Sequence, residues 1–321
     1  MKPALSVLGL VVLCAIPFTG LSDYHLHLLI QIFLWAFIYT AWALMGRFGL
    51  VSLGHGAFMG IGAYATVLAW NKLGLSPLIG IPLGVVLAVL VAAMVGLPCF
   101  RFRIVGHYFA LVTLALSEVV LLLIVASREY TGGSLGITPN RHSGEGNPLW
   151  DFQFPDKIEF YFIILIVWVL GLIVWHKVDR SMARPAMQAI ADDEDAAASV
   201  GIHVTWQKLR ITLLSAALTA LGGALYGQYQ MYINPMTVSG IAVSLQIVFA
   251  VVAGGMFVQF GPTVGAVFTL MLAETLRVMI GNNYPGADTT IYGLMLILFI
   301  IYMPKGILGA ILARFDAAST K

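Results

Sequence analysis

Residues 111–125 read LVTLALSEVVLLLIV, fifteen residues in which Glu118 is the one charged group. A helix of about 20 mostly apolar residues crosses a hydrocarbon core of about 30 Å. Taken outward to residues 105–126, this run is long enough to cross. A carboxylate inside a bilayer is costly unless it works or is paired. The run therefore predicts a membrane helix with a consequential residue near its middle.

Working outward, ten segments are long and apolar enough, or nearly so: roughly 4–20, 26–46, 51–70, 78–100, 105–126, 159–176, 209–230, 240–257, 262–280 and 289–304. The expected fold is an all-α polytopic membrane helix bundle, a single transmembrane domain over residues 1–321 with about ten transmembrane helices. The third and eighth segments are rich in Gly and polar atoms and are expected to be broken or re-entrant, so the count reaches as low as eight. Such irregular backbone is tolerated only inside protein. Composition agrees: 60% of the 321 residues are hydrophobic and 10% charged, and the mean hydropathy is +0.93, outside the range of soluble domains. The first twenty residues imitate a signal peptide, but no clean small-x-small site follows and Leu13 is too large before Cys14 for lipoprotein processing. A first span is expected there.

Lys and Arg orient the bundle. With the N-terminus inside, Lys2, Arg47, Arg101, Arg103, Lys177, Arg180, Arg184, Lys208, Arg210, Lys305, Arg314 and Lys321 fall inside, 12 in all, against Lys72, Arg128, Arg141, Lys157 and Arg277, 5 outside. Positively charged loops stay in the cytoplasm, so both termini are expected there. Two loops stand out. Residues 127–157 carry Gly, Pro, Ser and Asn turn chemistry and are expected outside; residues 179–207, with basic flanks, are expected inside.

Several activities are excluded. The net charge of +2 and the scattered basic residues do not suit nucleic acid. Cys14 and Cys99 lack metal or disulfide spacing and are expected to pack inertly; no metal site is expected. There is no phosphate-binding G-x-x-x-x-G-K-[ST] loop, no H-E-x-x-H and no G-x-S-x-G, so the chain is not expected to be an enzyme or to bind a cofactor itself.

The ionisable groups within the spans are His55, His107, Glu118 and Glu274, the last three residues from Arg277 and expected to pair with it. Glu118 either serves the pathway or bonds neighbouring helices, and His55 either touches substrate or satisfies backbone carbonyls. Glu118→Gln is expected to lower transport without preventing assembly. Glycines cluster in GRFGLVSLGHGAFMGIGAYATVLAW, residues 46–70, where Gly56 and Gly60 form a G-x-x-x-G step; further steps are Gly223 to Gly227 and Gly261 to Gly265. Each allows close helix packing. Gly254 and Gly255, followed by Pro262, suggest a helix-loop-helix elbow. The candidate substrate pathway is Gly54, His55, Gly56, Phe58, Tyr108, Glu118, Gly254 and Gly255.

Six blocks, GRFGLVSLGHGAFMGIGAYA, FRIVGHYFALVTLALSEV, TGGSLGI, ARPAMQAIADDEDAAASVGI, GGMFVQFGPTVGA and YGLMLILFIIYMPKGILG, stand in this order between residues 45 and 310. In this the chain resembles the permease subunits of branched-chain amino-acid ABC importers, the LivM type. The resemblance implies an inner-membrane, multi-pass subunit acting with a second permease, two ATP-binding subunits that hold ATP and Mg, and a periplasmic or extracellular substrate-binding protein. Two departures are noted: Leu135 replaces a commonly polar residue, and GGMFVQFGP lacks the Gly-Thr that often follows Gly-Gly-Met. Close relatives carry urea, short amides or other amino acids, so the substrate stays open. A proton-coupled carrier using Glu118 and His107 is the alternative from another class.

Within residues 184–201, Pro185 suits an early helical position, the alanines favour helix and Gly201 supplies a stop. One short helix is expected, with Met187, Ile190 and Val200 as an apolar stripe. The resemblance makes it the coupling helix that fits a cleft in the ATPase subunit. The residues assigned to that contact are Arg184, Pro185, Met187, Ile190, Asp192, Asp193, Glu194, Asp195, Ala196, Ala197 and Gly201.

Overall fold

The computed structural model describes residues 3–140, 148–281, 286–303 and 305–319. Lys2, Arg141, Pro304 and Lys321 of the expectations above lie outside the described residues, as do residues 141–147 of the outer loop. Each of the ten expected spans contains a helix: α1 (Pro3–Ala15), α2 (Asp23–Gly46), α3 (His55–Leu73), α4 (Pro77–Arg101), α5 (His107–Ala126), α6 (Lys157–Arg180), then two short helices α7 (Ala183–Asp192) and α8 (Glu194–Ser199), and α9 (Val204–Gln230), α10 (Gly240–Gly254), α11 (Gly261–Leu276) and α12 (Ala287–Tyr302). A further helix, α13 (Gly306–Ser319), was not expected. Among the described residues seven helices, α2, α4, α5, α6, α9, α10 with the turn before it, and α11 with its continuation, are long and apolar enough to cross a membrane.

At the centre stands α2. Every residue from Ile30 to Gly46 is buried, as expected of a helix that is apolar all round. Its aromatic side chains interlock with α6 and α9: Phe33 meets Tyr161 and Trp168, and Trp35 meets Tyr226. Helix α4 shows a sharper division. Gly80, Gly84, Ala88, Ala92 and Gly96, four residues apart, are buried, while Leu83, Val86, Leu87, Leu90, Met94 and Leu97 are exposed. Small residues inward and large ones outward let backbones approach where lipid offers no hydrophobic drive between helices.

The glycine steps are packing contacts. A Cβ at Gly62 would sit 2.0 Å from the Ala220 carbonyl oxygen, and one at Gly223 would sit 2.2 Å from that of Met59, so α3 and α9 touch backbone to backbone. Gly265 meets Ala250 in the same way, 2.1 Å from its oxygen, and joins α11 to α10. The elbow after Gly254 is real: Gly255 has φ +114, and a Cβ at Gly306, at the start of α13, would lie 2.5 Å from its nitrogen.

The charged groups separate into two ends. At one, Arg47 and Arg184 meet Asp179, Arg103 meets Asp195 and Lys208 meets Glu194. At the other, Lys157 meets Asp23 and Arg277 meets Glu274, the latter 3.5 Å apart, as their spacing predicts. These are the groups assigned inside and outside by the charge tally.

Two expectations are refined. The third segment begins outside helix, with residues 50–54 preceding the start of α3. The eighth is helical from Gly240 to Gly254 and turns off at Gly255, while a break at Ser239–Gly240, between a turn, Pro235–Val238, and α10, lies just before it. The single helix expected over 184–201 is a correction, because Asp193 leaves the helical region at φ −157, ψ 116 and divides it in two.

Candidate functional site

Both interruptions meet at the middle of α5. An α-helix leaves its first N–H groups without internal partners, and inside a bilayer each must find one. Here side chains of neighbouring helices supply them. Gly56 N–H donates to Ser244 Oγ at 2.9 Å, Leu53 N–H to Thr113 Oγ1 at 3.0 Å, and Ile241 N–H to Glu118 Oε1 at 2.8 Å. Ser117 Oγ lies 3.1 Å from Ser244 Oγ. The backbones are almost in contact, since a Cβ at Gly56 would fall 2.4 Å from the Gly240 carbonyl oxygen. Glu118 thus caps the N-terminus of α10 from another helix, where a carboxylate also complements the helix dipole.

His55 opens α3 and is fully buried. Ser215 Oγ donates to the Ala41 carbonyl at 2.6 Å, so it accepts from His55, whose Nε2 is 2.8 Å away and carries the proton. Trp42 and Phe58 pack their rings edge-on to the imidazole. This fits an interhelical hydrogen bond.

Of the candidate pathway residues, His55 and Phe58 face α2, α4 and α9, whereas Gly54, Gly56 and Glu118 join the seam at Thr113 and Gly240. Tyr108 does neither; it is 74% exposed at the start of α5. Gly254 and Gly255 lie at the far end of α10, fourteen residues from Gly240. His107 and Glu118 stand eleven positions apart on α5, about 16 Å at 1.5 Å per residue, too far for direct proton exchange. Ser117, Ser239, Gly240 and Ser244 were missed. Their signal was present in SEV after a long apolar run and in NPMTVSG, a Pro-led turn ending in Ser-Gly.

A platform projects from the end that holds Arg47. Met187 and Ile190 are buried in the chain's own core with Ala197, which withdraws these three side chains from a partner-facing surface. The reason is that α7 lies against α6 and α9, and its apolar stripe faces them. Arg184, Pro185, Asp192, Asp193, Asp195, Ala196 and Gly201 are exposed. Glu194 pairs inward with the buried Lys208. Asp193 accepts from the Asp195 and Ala196 amides, both at 2.9 Å, and so caps α8. Val200, expected in the same stripe, is instead exposed at 76%, and beside it stand two exposed apolar groups that the sequence had not singled out, Met182 at 82% and Trp206 at 56%. Met182, Pro185, Ala186, Ile202, Trp206 and Arg210 line a groove of about 420 Å³ there.

Beneath the platform, Arg47 stacks on Trp175, its guanidinium carbon 4.0 Å from the ring centroid, and donates to Asp179 at 2.7 Å. Burial lowers the Arg47 pKa from its ordinary value, and Asp179 draws it back up.

A polytopic helix bundle with two interrupted helices joined at its centre and an exposed helical platform at one end has the form of a membrane transport protein. More particularly, the chain belongs to the family described as the branched-chain amino acid transport system permease component, whose model matches residues 24–303. It is 30% identical over 285 residues to the high-affinity branched-chain amino acid transport system permease protein LivM of Salmonella typhimurium. The LivM protein of Escherichia coli is equally similar, at 30% over 285 residues. In both cases the match covers 82% of this chain and 65% of the relative, so the chain spans somewhat less than two thirds of their length. The LivH permease protein of Escherichia coli is 26% identical over 309 residues, covering 90% of this chain and 98% of that one. No solved structure matches.

Proposed function

We propose that the chain is the membrane permease subunit of an ATP-driven importer in the inner membrane, moving branched-chain or related amino acids into the cytoplasm. The observation that carries this reading is the meeting of the interrupted α3 and α10 at Ser117 and Glu118, in a chain matched by the permease family over residues 24–303. Interrupted helices put backbone polar groups at mid-membrane, where transporters handle solutes. In this reading Gly54, His55, Gly56, Phe58 and Glu118 belong to the part of the bundle that opens and closes around the pathway. The basic end faces the cytoplasm, as its charge favours.

Energy arrives through contact. ATP and Mg belong to two partner ATP-binding subunits, a second permease completes the membrane pair, and an external binding protein delivers the solute. The platform is the contact, with Pro185, Met182, Val200 and Trp206 as its exposed apolar part and Arg184, Asp192, Asp193 and Asp195 as its charged rim. Urea or short amides are the alternative cargo in the same family.

The test is reconstitution. Proteoliposomes containing this chain, its companion permease and the ATP-binding subunits, supplied with the binding protein, are expected to take up labelled leucine, isoleucine or valine only with ATP. Uptake by this chain alone under a proton gradient would reject the reading. ATP-driven uptake of urea or amides in preference to amino acids would keep the importer and replace its cargo.

A further inference from the structure

Asp179, at the end of α6, holds two arginines at once. One carboxylate oxygen accepts from Arg47 Nη1 at 2.7 Å, and the other lies 3.9 Å from Arg184 Nη1. The two arginines belong to different parts of the machine. Arg184 is on α7, in the platform, and is about half exposed. Arg47 ends α2; its side chain is 7% exposed and lies between the rings of Trp175 and Phe48. From Arg47 the chain runs through residues 48–54 directly into the start of α3 at the central seam. That short segment is tied at both sides, with Trp42 Nε1–H donating to the Ser52 carbonyl at 2.8 Å and Leu53 N–H to Thr113 at 3.0 Å.

From this juxtaposition we infer that Asp179 is a positioning residue that transmits displacement of the platform, through Arg47, to the segment 48–54 and so to the α3–α10 seam. The inference rests on the importer reading, in which the platform receives the ATPase stroke. Three features suit it to the task. A planar guanidinium stacked on an indole is held in orientation as well as place, which an ammonium would not be. Two Arg47 nitrogens, Nε and Nη2, are buried without a hydrogen-bond partner among the described residues, so the Asp179 carboxylate is the acceptor that fixes the group beside its rings. The segment between Arg47 and His55 is short and bonded, so a shift at one end cannot be absorbed as slack.

The test compares uptake with ATP consumption in the complete reconstituted complex carrying Asp179→Asn. ATP hydrolysis is expected to continue while solute moved per ATP falls about tenfold, within the usual range of coupling between sites. Arg47→Lys keeps the charge and loses the stack, and is expected to give a smaller fall in the same ratio; Asp179→Glu is expected to restore much of it. If Asp179→Asn leaves the ratio unchanged, the inference is wrong. If hydrolysis and uptake fall together with the melting temperature, the pair is only structural; should Asp179→Asn fail to assemble, the ratio in Arg47→Lys decides between the same two outcomes. A native complex without ATP-driven uptake would instead remove the importer reading, and this inference with it.

Discussion

Glu118 accepts one backbone proton, from Ile241, and that bond determines what its substitution should do. Glutamine keeps an oxygen acceptor at the same place, so Glu118→Gln is now expected to assemble and retain most transport, unlike the loss anticipated from a working carboxylate. Glu118→Leu leaves the first turn of α10 uncapped at a cost of about 1 kcal/mol or more, and should lower the melting temperature in detergent. Equal damage from both substitutions would mean that the charge itself matters. Gly56 gives a harder test. A methyl there would fall on the Gly240 oxygen at 2.4 Å, and overpacking of this kind costs about 1–3 kcal/mol. Gly56→Ala is expected to destabilise the bundle, while Gly9→Ala, with no neighbour within 4 Å, should not. That Glu118 mattered was legible from its place in an apolar run. Its partner was not, because the break at Ser239–Gly240 lies 121 positions away and nothing local joins the two.

At the scale of the element, the platform shows how pattern and packing diverge. Alanines, an early proline and a terminal glycine predict helix over 184–201, and helix is what most of it forms. The sequence alone cannot say which way the stripe faces. A buried stripe suits either a partner or the chain's own core, and α6 and α9 claim it here. Asp193 was counted as one acid among four, yet its backbone ends one helix and its carboxylate begins the next. Asp193→Ala should cost about 1 kcal/mol locally, seen as faster hydrogen exchange at residues 195–199 with the membrane helices unchanged; no change there would mean that the cap is dispensable. Helix α4 is the opposite case. Its ladder of small residues four apart was fully present in the sequence, and the inward face could have been named from it.

For the whole molecule, hydropathy and charge carried most of the architecture, since the bilayer sets helix length and lysine and arginine set orientation. Each of the ten segments contains a helix, seven helices among the described residues being long enough to cross, and a break in helix lies at the start of each of the two segments flagged as irregular. What stayed hidden was long-range: Arg47 with Asp179, His55 with Ser215, and Gly56 with Gly240 are separated by 132, 160 and 184 positions. Orientation is open to direct measurement. Leu135→Cys and Val200→Cys replace exposed residues near opposite ends. In intact cells an impermeant maleimide is expected to label the first and spare the second until the membrane is opened; the reverse pattern would invert the bundle.

The contact between Gly56 and Gly240 has a kinetic side. Most helix interfaces must reorder interlocked side chains before they part, and each buried rotamer-rich chain freed or frozen adds to the barrier. Neither residue here has a side chain, and what holds the backbones together is a few hydroxyl bonds from Ser244 and its neighbour Ser117. Serine has a single χ1 to reset. A joint built this way can separate and close again with little entropy changing hands, so the speed of this step should be set by the helices that carry it and not by the surfaces that meet.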